Sequence, residues 1–200
     1  CTVVGLAVFR NLGLWLVIED PLPQEADVLF TFGGELQRTV FTSQLRNRYP
    51  KALWINSGFK DIHFRRAGLT EEDTTGMETV NEAGSTYEEV LYLRSRLANE
   101  AFHEAQESGL QSSAASRKDL VVCLISSPFH MRRIRILAAR LLDTTLYRVH
   151  LVHVPYAAYG VSREGYQQWW LDTELRKHVL SEAFKVIPEF VRVRVLALAP

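Results

Sequence analysis

Short, almost wholly apolar runs alternate along this chain with stretches whose apolar residues recur at helical spacing. The runs predict strands at Asp27–Phe32, Ala52–Asn56, Leu120–Ile125 and Val149–Val154, with a shorter one at Met77–Val80. Continuous runs of this kind are expected of strands covered on both faces. Between them, Leu36, Val40, Phe41 and Leu45 form the apolar side of a helix that starts near Glu35. Val90, Leu93, Leu97 and Ala101 do the same, as do Ile134, Leu137, Ala138 and Leu141. Strands alternating with helices predict an α/β fold: a Rossmann-like, mostly parallel sheet with helices on both faces.

Punctuation supports this division. Pro21 and Pro23 close an apolar segment, Thr2–Ile18, in which Arg10 is the only charge. Residues 1–20 read either as the remnant of a membrane anchor, with Trp15 suited to an interface, or as an N-terminal helix packed on the domain. Residues 21–200 read as one domain. Ser85 or Thr86 starts a helix with Glu88 and Glu89 in its first turn, and Ser85-x-x-Glu88 has the form of a capping box. Phe59–Thr75 is expected to be an irregular excursion, and Ser108–Ser116 a surface loop. Near the end, a helix is expected over about Glu164–Phe184. A late edge strand follows, in which Arg192 and Arg194 alternate with valines.

Charge narrows the partners. Basic and acidic residues number 23 each, which argues against nucleic acid, whose binders usually carry a basic excess. Of two cysteines, Cys123 lies within a strand and reads as a small buried hydrophobe; a Cys1–Cys123 disulfide is disfavoured. Cysteine usage leaves the compartment open.

The chemistry-bearing positions fall at strand ends, which a parallel sheet brings to one edge. Gly33-Gly34 precedes a helix whose free amides can receive an anion, with Glu35 beside them and Arg38 one turn on. Ser57-Gly58 closes the second strand. Glu82 leads to Thr86 at another helix start. Ser126-Ser127 ends the Leu120 strand, and His130 and Arg133 follow one helical turn apart. Arg38 and Arg133 suit an oxyanion, with Gly33, Gly34, Ser57, Gly58, Thr86, Ser126 and Ser127 completing the cradle. His130 suits general acid–base work, and Glu82 or Glu35 would orient it, act as base or hold a divalent metal. Each position also has a plainer reading as a tight turn, a cap or a solvated charge. No complete dinucleotide, Walker A or nucleophile-elbow motif occurs, the histidines show no zinc spacing, and no metal or particular cofactor is assigned.

Several blocks together resemble the YdcF/SanA/ElyC-type family. They are Leu16-Val17-Ile18-Glu19-Asp20-Pro21-Leu22, Ala26-Asp27-Val28, Gly33-Gly34 with Arg38, and Ser57-Gly58. The most specific are Glu82 with Ser85-Thr86-Tyr87-Glu88-Glu89, and Ser126-Ser127-Pro128-Phe129-His130-Met131-Arg132-Arg133. The resemblance implies a Rossmann-like domain held by an N-terminal segment on the extracytoplasmic side of the cell membrane. It further implies a role in envelope integrity and peptidoglycan or lipid-carrier metabolism, without fixing an activity. Joined to the strand-end residues, it makes the leading expectation an envelope-associated domain that binds a phosphorylated small molecule or lipid-linked precursor, open to hydrolase or transferase chemistry. The alternatives are an S-adenosylmethionine or nucleotide-type cofactor site and a non-catalytic envelope scaffold. Glu35 departs from the family pattern, where a third glycine is common, and a carboxylate there disfavours a phosphate close to the turn.

Overall fold

The computed structural model describes residues 2–58, 61–80, 83–107 and 120–198. In chain order these form α1 (Thr2–Leu16), β1 (Val28–Thr31), α2 (Leu36–Arg46), β2 (Leu53–Ser57), α3 (Asp61–Arg66), α4 (Glu71–Thr74) and β3 (Met77–Val80). Then come α5 (Thr86–Glu107), β4 (Leu120–Ser126), α6 (Met131–Leu141), β5 (Tyr147–His153), α7 (Arg163–Gln167) and α8 (Thr173–Leu198).

The five strands lie in the order β3-β2-β1-β4-β5, and every pair is parallel. The fold is therefore the expected Rossmann-like α/β sheet. After β1 the chain builds outward to β3, then crosses by α5 to β4 on the other side. The strand order reverses between β1 and β4, and ligands of open α/β sheets bind in the crevice beyond such a point.

Side-chain parity sorts the core. Val28, Phe30, Ile55, Val122 and Leu124 pack with Val90, Leu93 and Leu97 of α5 and Ile134 and Leu137 of α6. Leu29, Trp54, Cys123 and Ile125 face the other way, against Leu45 and Phe41 of α2. A third cluster joins Leu16, Phe129, Tyr166, Trp169, Leu175, Val179 and Val186. It docks α1 and α8 beside the turn after β4. A Cβ on Gly13 would lie 2.5 Å from Trp169 Cδ1, so only glycine lets α1 approach this closely. No helix among the described residues is long and apolar enough to cross a membrane.

Several expectations change. The stretch 59–75 is not irregular throughout: it contains α3 and α4, the latter closed by a Thr70–Asp73 capping box. The Ser85–Glu88 box forms incompletely. Ser85 Oγ accepts the Glu88 amide, but the Glu88 carboxylate takes the amide of Gly84. The expected Glu164–Phe184 helix is split into α7 and α8, and the late edge strand is absent because α8 runs on to Leu198. Arg192 pairs with Glu189 at 3.3 Å, a one-turn contact that alternating strand geometry would not make. Cys123 is free and buried; Cys1 and the 108–116 loop lie outside the described residues.

The apolar side of α2 is also corrected. Its buried residues are Arg38, Thr39, Thr42 and Leu45. Leu36 and Val40 instead line a groove of about 380 Å³ against Pro155 and Ala158, and Phe41 stands between this groove and the core. Polar residues win the inner face because α2 packs over hydrogen-bonding groups. Thr31 Oγ1 donates to Thr42 Oγ1 at 2.8 Å, and Thr39 Oγ1 donates to Asn56 Oδ1 at 3.1 Å.

Candidate functional site

Arg38 spans the crevice where the strand order reverses. It sits on the inner face of α2 and is 1% exposed. Nη1 donates to the carbonyls of Phe32 and Gly33, just past β1. Nη2 donates to Ser127 Oγ at 2.9 Å, just past β4, and to His130 Nδ1 at 3.2 Å. The Glu35 carboxylate lies 3.4 Å from the same nitrogen and accepts the Tyr159 hydroxyl at 2.8 Å. One guanidinium thus stitches the turn after β1 to the turn after β4. Ser127 caps no helix amide with its side chain; its hydroxyl serves Arg38 instead.

His130 carries the chain onward. A guanidinium only donates, so Nδ1 must accept, and the ring proton resides on Nε2. Nε2 then donates to Glu182 Oε1 at 3.0 Å. Glu182 Oε2 lies 3.2 Å from Arg133 Nη2, and Oε1 accepts from Lys185 Nζ at 2.8 Å. Burial pushes Glu182 upward, but His130, Arg133 and Lys185 outweigh it and hold the carboxyl down at about 2. Burial pushes His130 below its ordinary 6.5; Glu182 opposes this, and Arg38 and Arg133 reinforce it. The ring is therefore neutral, hydrogen-bonded at both nitrogens and fixed in one tautomer.

A second carboxyl closes the other side. Glu89, in the first turn of α5, accepts the Gly33 amide through Oε1 at 2.7 Å. Burial raises it above the ordinary carboxyl range, and the Gly33 amide, the Ser57 hydroxyl and the Arg38 and Arg133 charges hold the rise back. The glycines around it pack tightly. A Cβ on Gly33 would fall 2.9 Å from the Ser57 carbonyl oxygen, and Gly34 and Gly58 adopt φ of +108° and +80°. Close turn packing accounts for all three glycines.

Strand parity aims two hydroxyls at this centre. Ser57 continues the side of Ile55, and Ser126 that of Leu124, so both point to the face covered by α5 and α6. Ser126 Oγ is 0% exposed and has no hydrogen-bond partner among the described residues, whereas the Ser57 hydroxyl faces the Glu89 carboxylate. Nε of Arg38 and of Arg133 likewise lack a partner among the described residues. Buried polar groups are rarely left unmatched, and several together mark a place built for a ligand or bound water.

The structure thus brings Gly33, Arg38, Ser127, His130 and Arg133 into one cluster, with Gly34, Glu35, Ser57, Gly58 and Ser126 at its margin. Thr86 is buried one turn before Glu89, and among the described residues no hydrogen bond joins it to this cluster. Glu82 lies outside the described residues. The carboxylate that orients His130 is Glu182, which lies far from any strand end, and Glu89 does more than favour the dipole of its helix, since it holds the Gly33 amide. Both leave a signal. Leu175, Val179, Glu182 and Val186 share one buried stripe of α8, and Glu89 stands in the Thr86, Val90, Leu93 stripe of α5. A charge inside an apolar stripe is the mark.

The groove beside Pro155 is lined by none of these residues. No group of His, Cys, Asp and Glu among the described residues is arranged to hold a metal ion. No family model, curated protein or solved structure matches the chain.

Proposed function

We propose that this chain binds an oxyanion-bearing small molecule, a phosphorylated metabolite or lipid-linked precursor, in the β1/β4 crevice. We further infer that His130 supplies acid–base catalysis of a hydrolase or transferase reaction there. The observation that carries this reading is the continuous polar chain Arg38–His130–Glu182–Arg133 beside the buried, unmatched hydroxyl of Ser126.

Chemically, Ser126 and the unengaged Nε groups offer donors to a ligand oxygen. Arg133 is 12% exposed and Arg38 almost wholly buried, so Arg133 is the cation that first meets a ligand. His130 has the orientation of a base: Nε2 is tied to a carboxylate, and the lone pair of Nδ1 is held by Arg38. The resemblance to YdcF/SanA/ElyC-type proteins points to the same strand-end residues and to an envelope setting.

Calorimetry with inorganic phosphate, a sugar phosphate, a polyprenyl phosphate in detergent and S-adenosylmethionine tests this directly. Binding of a phosphate-bearing probe is expected, weakened at least tenfold in Ser126→Ala. Binding of S-adenosylmethionine alone would replace this reading with a cofactor site. No binding by any of the four would favour a scaffold.

A further inference from the structure

We propose that Arg38 gates the base: an arriving oxyanion takes over Arg38 Nη2, and this frees Nδ1 of His130 to accept a proton. This inference rests on the oxyanion reading above and adds how ligand and base communicate.

The argument is one of hydrogen-bond counting. Arg38 has five N–H groups. The two on Nη1 serve the Phe32 and Gly33 carbonyls; the two on Nη2 serve Ser127 Oγ and His130 Nδ1. The His130 lone pair is consequently occupied in this state. A proton placed on Nδ1 would face the Nη2 hydrogens at 3.2 Å, donor against donor. His130 can accept a proton only after Nη2 turns to another acceptor.

Glu35 Oε2 already stands 3.4 Å from Nη2 but is shared with the Tyr159 hydroxyl, whose oxygen also faces Arg38. A ligand oxyanion would compete for the guanidinium more strongly than a neutral imidazole nitrogen does. Once Nη2 has moved, a proton passes from a ligand hydroxyl or water to Nδ1, leaving its bonding electron pair on that oxygen. The positive charge gained by the ring lies against Glu182 at 3.0 Å. Every charged group facing the ring takes part. Arg38 comes from α2, with Glu35 behind it. Arg133 lies in the first turn of α6, just after His130, and Glu182 with Lys185 on α8. Before ligand arrives, the arginines disfavour the charged ring; afterwards an anion offsets them.

Long-range ¹H–¹⁵N spectra of the histidines test this, with His130 assigned by its loss in His130→Gln. In the ligand-free protein, Nδ1 of His130 is expected bare and Nε2 protonated between about pH 6 and pH 8. A protonated Nδ1 there would overturn the gate with no ligand involved. Saturating inorganic phosphate or methyl phosphate is expected to move the protonation midpoint of His130 upward. Arg38→Lys, whose shorter reach uncovers Nδ1, is expected to show the raised midpoint without ligand. Calorimetric phosphate binding with an unmoved His130 overturns the gate and leaves the binding reading standing. Absence of binding by both phosphates overturns the oxyanion reading and the gate with it.

Discussion

The Glu182 carboxylate receives the Nε2 proton of His130 at 3.0 Å and so fastens the turn after β4 to the last helix. Glu182 is 4% exposed and also faces Arg133, itself 12% exposed. Removing one member of a buried charge cluster leaves its partners without compensation, at a cost of about 3–5 kcal/mol. Glu182→Ala is expected at the lower end, because Lys185 remains solvated, and Glu182→Gln should lose less because it retains an acceptor for Nε2. Urea denaturation of the three proteins measures this; equal midpoints would dissolve the cluster's structural role. By the same reasoning Arg133→Ala, which at first sight removes only a ligand contact, also lowers stability.

The same pair sets a pH dependence. The native state holds His130 below its ordinary 6.5 and Glu182 down at about 2 against an ordinary 4.5. In both cases the unfolded chain binds protons first as pH falls. Stability is therefore complete above about pH 6.5 and declines below it as unfolded histidine charges; a second decline runs from about pH 4.5 toward 2. Denaturant midpoints from pH 8 downward should show both phases. His130→Gln should lose the first and keep part of the second. A stability maximum near pH 5 in the parent would contradict the neutral, buried ring.

Much of the architecture was legible in the chain. All five strands stand close to their expected places; β1, β2 and β4 are the clearest, because a strand buried on both faces has no polar alternation to blur it. The meeting of Arg38 with Ser127 and His130 follows from two strand ends sharing a parallel edge. What stayed hidden was the inner face of α2. Leu36, Val40 and Phe41 look like the core side, yet the strand ends beneath α2 carry Thr31 and Asn56, which require polar partners. Glu182 was hidden for a related reason. Its partners arrive from a turn and a helix distant in sequence, and only its place among Leu175, Val179 and Val186 betrays it. The late strand failed because local alternation at 191–195 is weaker evidence than the helical stripe that continues into it.

The contact of Gly33 with the Ser57 carbonyl gives a third expectation. Gly33→Ala would set its Cβ 2.9 Å from that backbone oxygen and 3.3 Å from Glu89 Oε1. The oxygen belongs to a central strand and yields little, so a loss of roughly 1–3 kcal/mol is expected. The Glu89 hydrogen bond to the same amide should lengthen together with it. A crystal structure of the variant with an unmoved turn and an unchanged thermal midpoint would show that the turn is not under this constraint.

Gly13 and Trp169 supply a fourth. Trp169 is fully buried and its ring lies where a Gly13 Cβ would go, 2.5 Å from Cδ1. Its indole Nε1 also donates to the Arg10 carbonyl at 3.2 Å. Gly13→Val should pry α1 from the third cluster and expose Leu16, without altering the strand-end hydrogen bonds. Hydrogen exchange is the suitable measurement: faster exchange confined to α1 and the 169–171 turn is expected. Equally fast exchange in β1 and β4 would mean that α1 is integral to the sheet domain.

The unmatched hydroxyl of Ser126 sets stability against function most directly. Ser126 Oγ is buried at the end of β4 without a partner among the described residues. A buried polar group left unpaired costs about 1–3 kcal/mol, and replacing it by an apolar group removes that cost. Ser126→Ala is therefore expected to match the parent in stability or exceed it by up to ~1 kcal/mol. A core hydroxyl with an internal role would behave in the opposite sense, as Thr42 should, since it bonds both Thr31 and the Arg38 carbonyl. Thr42→Val is accordingly expected to lose about 1–2 kcal/mol. Thermal midpoints of Ser126→Ala and Thr42→Val, read beside the phosphate affinities of the same proteins, separate the two kinds of hydroxyl. A variant of Ser126 that is more stable yet binds less tightly marks a group kept for its ligand. One that is less stable with affinity intact assigns Ser126 to the fold.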